Sequence, residues 1–469
     1  MADSEPVTGR TGTFCSPAPA QAVAVVGGGV LGMYLAFRLR SQGASVTLFE
    51  AAPRTGGLAS PDRIGGYTWD RFYHVILMSD LNTRRLIEDL GLEDRLRWGT
   101  TKTGFFVDGQ LYSMSNSLEF LRFPPLSLFD KLRLGATIFF ASRIRNWRKL
   151  ENILAVDWLT RWSGKRVVSR IWLPLLRSKL GANAEKASAA FIWSTIARMY
   201  AARRSGIKRE MFGYVDGGYE IVLRRLQERL SEIGVETVFD ARVEKVVNGA
   251  GGASVYWGGE QQREFDAVVL TVPTPVIAKL CTQLSATEIE RLKSVTYQGI
   301  ACASILLKRS LSQYYVTNIT DDWVPFTGVI EMTALVDKAT FGGNSLVYLP
   351  CYLTQDDDFW LKSDEEIKEI FLDGLDRMYP HFDRRDILGF NLARARNVLA
   401  VSTLGYSTRL RPTVKTSLSR VFTVNSAQIA NGTLNVNETI GIADANLGEL
   451  DAHLAGIAIS PTRRPGLAE

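Results

Sequence analysis

The sequence predicts an α/β protein in which a Rossmann-like nucleotide-binding domain is interrupted by an inserted α+β domain. Three observations carry this. A strand, a glycine-spaced turn, a helix and a second strand follow one another within residues 22–57. Patterns that would complete the same parallel sheet return at 213–273 and again at 420–457. Between them lie alternating strand-like runs and a helical stretch with a different charge balance.

The first unit starts with the apolar, β-branched run Ala22–Val26, which enters Gly27-x-Gly29-x-x-Gly32 and then an amphipathic helix, Leu31–Leu39, ending near Gly43. Gly27 permits the tight turn, Gly29 lets the backbone approach a pyrophosphate, and Gly32 lets helix and strand pack closely. Val30 and Leu31 stand at the helix start, where unpaired N–H groups face a phosphate. The second strand, Ser45–Phe49, ends in Glu50 and Ala51. A carboxylate there accepts hydrogen bonds from adenosine ribose hydroxyls and disfavours a 2′-phosphate. Strand, helix, second strand and acid all at the required spacing make a phosphate-free turn a poor explanation.

Just beyond lies Arg54-Thr55-Gly56-Gly57-Leu58. It resembles the R-x-G-G motif of the flavin amine oxidase superfamily, which includes protoporphyrinogen oxidases, phytoene-type desaturases and, more distantly, UDP-galactopyranose mutases. The resemblance implies a GR2-type FAD-binding domain with non-covalent FAD, the glycine pair passing beside the diphosphate and flavin. Where the family usually has a basic residue after the pair, this chain has Leu58. The resemblance also implies an adenine contact from the backbone of Val243, in the strand-like run Arg242–Val247. Thr271 falls at the cofactor near the end of Phe265–Pro273. In the C-terminal strand and turn, Asn425-Ser426 replaces the family's Gly-Asp pair, and both residues retain groups that can bond a diphosphate or ribityl hydroxyl. Asn435 and Val436, at the start of the last helix, would present N–H groups to the negative charge that gathers at flavin N1 and O2 on reduction.

With 469 residues, 46% hydrophobic and 22% charged, the chain is ordinary globular material, long enough for two or three lobes. Residues 1–20 lack periodicity and read as a flexible extension without the regions of a signal peptide. No apolar run approaches the ~20 residues of a membrane-spanning helix. The expectation is a cytoplasmic protein, or a peripheral one on the inner face of a membrane. Cys15, Cys281, Cys302 and Cys351 are scattered, as are His74, His381 and His453, which excludes a patterned disulfide framework and a histidine-rich metal centre.

The net charge of +6 hides an asymmetry: Lys131–Arg209 holds 18 Lys or Arg against three acids. Aromatic residues, among them Phe139, Phe140, Trp147 and Trp162, are interleaved with Arg143, Arg145, Arg148 and Arg161. Such a mixture suits an anionic membrane surface or an anionic substrate, or it is a helical subdomain with its own aromatic core and solvated arginines. No nucleic-acid motif accompanies the charge.

The chain therefore divides into an FAD-binding domain, 21–99, 213–294 and 401–469, and a substrate domain, 100–212 and 295–400, with 127–210 a basic helical subdomain. The substrate domain is expected to hold a hairpin around Asp108-Gly109, an antiparallel sheet, and a helix near Glu365–Met378 on one side. His74 lies in a segment, Gly65–His74, that resembles the stretch passing beside the flavin in the family, and is the candidate catalytic residue. Tyr348 and Tyr352 are candidates for contact with a hydrophobic or anionic small-molecule substrate. The resemblance implies a two-electron oxidation in which a hydride passes to flavin N5, the electrons then leaving to oxygen, a quinone or another acceptor. A non-redox FAD mutase and a non-catalytic flavin-binding partner at a membrane are the alternatives.

Overall fold

The structure is a computed structural model that describes residues 20–203 and 211–457. The N-terminal extension, apart from its last residue, lies outside the described residues, as do Cys15 and 204–210 at the end of the basic segment.

A five-stranded, all-parallel sheet organises the nucleotide-binding part. Its strands are β1 (Ala22–Val26), β2 (Ser45–Phe49), β3 (Glu236–Val238), β4 (Ala267–Leu270) and β5 (Val421–Thr423), in the order β3-β2-β1-β4-β5. The β1 run is apolar throughout because both faces are covered. Val23 and Val25 point to a helical layer of α1 (Val30–Ser41), α2 (Tyr219–Glu232) and α3 (Val436–Ala455). Ala24 and Val26 point the other way, to an antiparallel meander, Val243–Asn248, Ala253–Trp257 and Gln261–Phe265. The apolar run expected as one strand over Phe265–Pro273 is two elements. It breaks at buried Asp266, whose carboxylate accepts the Ala22 N–H at 2.8 Å. The last helix starts at Val436, where the Asn435 side chain caps it by accepting the Glu438 N–H at 2.9 Å.

A second sheet has seven strands in the order Ile387–Ala400, Tyr297–Leu307, Ser345–Leu353, Gly328–Glu331, Val316–Ile319, Thr103–Val107 and Gln110–Ser113. It is antiparallel except where Val316–Ile319 runs parallel to Thr103–Val107, a short strand that the sequence pattern does not reveal. Asp108 and Gly109 both have positive φ, 52° and 74°, as the tight hairpin turn requires. The helix Asp364–Met378 covers one face through Ile367, Phe371 and Leu375. The other face, with Ile300, Cys302 and Tyr348, packs on the hairpin Pro61–Ile64/Tyr67–Asp70 and on Phe72.

The helical subdomain splits its aromatic residues. Trp158, Trp172 and Phe191 are buried in its own core, where Trp172 Nε1 donates to Ser163 Oγ and that hydroxyl to Thr137 Oγ1. Phe139, Phe140 and Trp162 are exposed. Among the described residues no helix is long and apolar enough to cross a membrane.

The joint between β1 and α1 leaves no room for a side chain at Gly32. A Cβ on Gly32 would lie 1.8 Å from the Gly27 carbonyl oxygen, which is backbone and cannot yield without moving the helix. Gly32→Ala is expected to cost ~1–3 kcal/mol or more and to lower the thermal midpoint or the soluble yield; a midpoint equal to that of the unmodified protein would contradict this packing.

Candidate cofactor and substrate site

Helices α1 and α3 each follow a parallel strand, so both begin at the carboxyl edge of the sheet, the edge where open α/β sheets bind ligands. At that edge Gly27 takes φ +111° and donates its N–H to Phe49 O at 2.9 Å. Thr271 Oγ1 pins the turn by donating towards Val26 O and Gly27 O, at 2.9 and 3.1 Å. A Cβ on Gly29 would meet nothing within 4 Å. The protein therefore leaves open space in front of Gly29, beside the first N–H groups of α1 at Val30 and Leu31, which have no partner within the helix.

Glu50 closes one end of this cradle. Its two carboxylate oxygens accept the N–H groups of Gly28 and Ala52, each at 2.8 Å, which fixes the side chain and leaves lone pairs for ribose hydroxyls. Ala51 beside it is exposed. The R-x-G-G segment closes the other side. Gly56 donates its N–H to Gly28 O at 2.8 Å and forms a parallel bridge with Gly29, and a Cβ on Gly57 would sit 3.1 Å from Gly29 Cα. Gly56 and Gly57 have φ of +121° and +58°, which favours glycine at both. The two glycine motifs thus form one backbone surface. Arg54 is exposed and, among the described residues, has no ion pair. Leu58, in place of a basic residue, packs into an apolar cluster with Tyr67, Tyr73 and Tyr352.

The C-terminal residues divide. Asn425 is fully buried: its Oδ1 accepts the Ala427 N–H at 3.0 Å, and its own N–H donates to Gln428 Oε1 at 3.3 Å. Among the described residues its Nδ2 has no hydrogen-bond partner. The side chain is therefore turned into its own turn, while Ser426 is half-buried. Asn435 spends its side chain capping α3, so that Asn435 and Val436 have only backbone N–H groups to offer a ligand. Val243 is half-buried at an irregularity in the meander opposite Trp257, whose ring meets Phe49 at 4.9 Å.

On the facing side Asp70 acts as a hub. It accepts the Tyr219 N–H at 2.8 Å through Oδ1, its carbonyl accepts the Tyr348 hydroxyl, and Oδ2 lies 3.6 Å from His74 Nδ1. His74 Nδ1 is buried and, among the described residues, has no hydrogen-bond partner, and its ring lies 5.0 Å from that of Tyr219. Tyr348 is fully buried, so its hydroxyl holds the Asp70 backbone instead of facing open space. Tyr352 is half-buried, and its hydroxyl lies 3.0 Å from that of Tyr73. Lys179 joins this pair by donating to Tyr73 Oη at 3.1 Å. Sequence reasoning missed it, because nothing in the pattern separates one lysine of the basic segment from its neighbours. The Cys281 and Cys351 thiols are buried and pushed up to about 12 by desolvation, with smaller contributions from Glu288 and Asp357, so they stay protonated and inert.

The family model for flavin-containing amine oxidoreductases matches residues 32–433. The chain belongs to that family. Coproporphyrinogen III oxidase of Mycobacterium bovis is 27% identical over 282 residues, covering 55% of this chain and 60% of the relative. Protoporphyrinogen oxidase 2 of Arabidopsis thaliana is 25% identical over 293 residues, covering 54% and 57%. The match thus spans less than two thirds of the length of these curated relatives. A crystal structure from Exiguobacterium sp. 255-15, named provisionally as a protoporphyrinogen oxidase, superposes with a TM-score of 0.75 at 17% identity, over 92% of this chain and 99% of that one. That likeness is one of fold. The open space at Gly29, the helix-start N–H groups and the fixed Glu50 fit the flavin that the family name implies.

Because a Cβ at Gly29 meets no protein atom within 4 Å, Gly29→Val is expected to separate folding from cofactor binding. The variant is expected to melt within a few degrees of the unmodified protein and to lose its flavin absorbance; a yellow variant with full flavin stoichiometry would contradict the cradle.

Proposed function

We propose that this protein is an FAD-dependent dehydrogenase or oxidase that takes two electrons from a hydrophobic or anionic organic molecule, with FAD held non-covalently. The observation that carries the reading is the single backbone surface made by Gly28–Gly29 and Gly56–Gly57, open in front of Gly29 and continued through Leu58 into an aromatic wall. Glu50 would hold the adenosine ribose, the start of α1 and Arg54 the diphosphate, and the start of α3 the pyrimidine edge of the ring. Bound there, FAD would supply a two-electron acceptor, its electrons leaving to oxygen, a quinone or another acceptor. The chain's own task is to orient the substrate and exclude water, which a hydride transfer requires more than an acid–base pair. His74, backed by Asp70 and flanked by Tyr219, orients the substrate or relays a proton. The names of the relatives make coproporphyrinogen III and protoporphyrinogen the first substrates to try, and the match to an oxidoreductase family favours net redox over a mutase.

Anaerobic mixing of the FAD-loaded protein with either porphyrinogen should bleach the flavin band by one two-electron step, and admitting oxygen should restore the band and release porphyrin after three such steps. A flavin that neither compound bleaches would count against a porphyrinogen substrate. His74→Gln should keep its FAD and reduce it roughly a hundredfold more slowly; an unchanged rate would leave His74 a packing residue.

The helical subdomain favours docking of the protein on an anionic membrane surface. Leu128, Phe129 and Leu132 are 64%, 67% and 64% exposed on one helix, Leu128–Ala141, whose C-terminal end also exposes Phe139 and Phe140. The Arg143 guanidinium lies 4.6 Å from the Phe139 ring centroid, and Arg148 stacks on Trp147 at 5.5 Å. Apolar side chains flanked by such cations suit lipid headgroups. Vesicles containing phosphatidylserine should sediment the protein, and Phe129→Ser with Leu132→Ser should release it; an unmodified protein that stays in the supernatant would rule out this surface.

A further inference from the structure

The helix Leu81–Asp89 is capped by a residue from a distant part of the chain. Asp80 stands at its N-cap, where an aspartate side chain ordinarily accepts the N–H groups two and three residues on. Here it accepts neither. One of its oxygens takes the Leu77 N–H at 2.9 Å, and both lie 2.8 Å from Arg198 Nη2, in a pair whose carboxylate is buried. The two N–H groups that it leaves, on Asn82 and Thr83, are accepted instead by Asn437 Oδ1, at 2.9 and 3.4 Å. Asn82 Nδ2 returns a bond to Asn437 O at 3.2 Å. The nearby hydroxyls take no part, since Ser79 Oγ and Thr83 Oγ1 are buried and, among the described residues, have no hydrogen-bond partner.

Asn437 lies in the first turn of α3, one residue after Val436, so the exchange joins two helix starts. Gly441, one turn further along α3, gives Asn82 room to lie there: a Cβ on it would come within 2.9 Å of Asn82 Nδ2. Arg198 belongs to the helix Ala189–Arg203 of the helical subdomain. Trp193 fastens that helix to Leu128–Ala141 by donating to Ala141 O at 2.9 Å. The joint therefore runs from the helical subdomain to the carboxyl edge of the parallel sheet. Arg198 decides which acceptor caps Leu81–Asp89. With it in place Asp80 is held away and Asn437 is drawn in. Without it Asp80 is free to fold back on Asn82 and Thr83, and Asn437 loses its partners.

We propose that Arg198, Asp80 and Asn437 are positioning residues for the flavin. The ion pair diverts Asp80, the vacated cap recruits Asn437, and Asn437 fixes the first turn of α3. The backbone N–H groups of Asn435 and Val436 are thereby held where negative charge gathers on the reduced ring. This assignment rests on α3 facing the flavin, and it makes a residue of the helical subdomain a determinant of how strongly the site favours reduced FAD.

The test measures the midpoint potential of the bound FAD by equilibration with redox dyes, alongside FAD content and thermal midpoint. Asn437→Ala should keep its FAD and favour the reduced flavin roughly tenfold less, a potential about 30 mV more negative. Arg198→Met should shift it the same way. Arg198→Lys, which can set one nitrogen against both Asp80 oxygens, should stay near the unmodified value. Loss of a positive charge alone would lower the potential in any background, whereas the cap acts only through Asn437. Arg198→Met should therefore add nothing in the Asn437→Ala background. An unchanged potential in either single variant, or a further shift in the double variant, overturns the assignment and leaves the flavin site standing. A protein that takes up no FAD overturns both.

Discussion

One backbone hydrogen bond, from the Gly56 N–H to the Gly28 carbonyl at 2.8 Å, joins the parts from which the site is built. It requires two chain segments to approach with no side chains between them, and Gly29, Gly56 and Gly57 provide this. Once the R-x-G-G loop rests on the glycine turn, Leu58 is carried to the face of the second sheet and the hairpin Pro61–Asp70 follows it. The carboxyl edge of the parallel sheet thereby gains a wall that it could not build alone. Gly32 supports the same arrangement from below by letting α1 start directly against the turn.

Electrostatics divides along the same line. The cradle presents backbone N–H groups and the exposed Arg54, and its one carboxylate, Glu50, is already engaged by two N–H donors at the ribose end. Across the site Asp70 is consumed in holding Tyr219, Tyr348 and His74 in register. The exposed positive charge of Arg54 therefore sits beside the joined glycine motifs, while the buried acid organises the scaffold.

The nucleotide-binding part was legible because its constraints are local. Glycine spacing, the apolar run of β1 and an acid at the end of β2 each report a backbone need that can be read from neighbouring residues. The FAD assignment came from a resemblance, resting on Arg54–Leu58. What remained hidden depends on distant partners. Val316–Ile319 is too short to show a period, and it is a strand only because Thr103–Val107 and Gly328–Glu331 flank it. Lys179 becomes distinct only when the second sheet brings Tyr352 to it and the Gly65–His74 segment brings Tyr73. The aromatic residues of the basic segment could not be apportioned from composition, since Trp158 and Trp162 lie one turn apart on one helix and yet only Trp158 is buried.

The most direct test of the account is the visible absorption spectrum of the purified protein, with any released chromophore identified by chromatography. The account predicts flavin bands and the release of FAD, about one per chain. A colourless protein that also fails to take up added FAD would contradict it, since the joined glycine motifs would then hold no flavin.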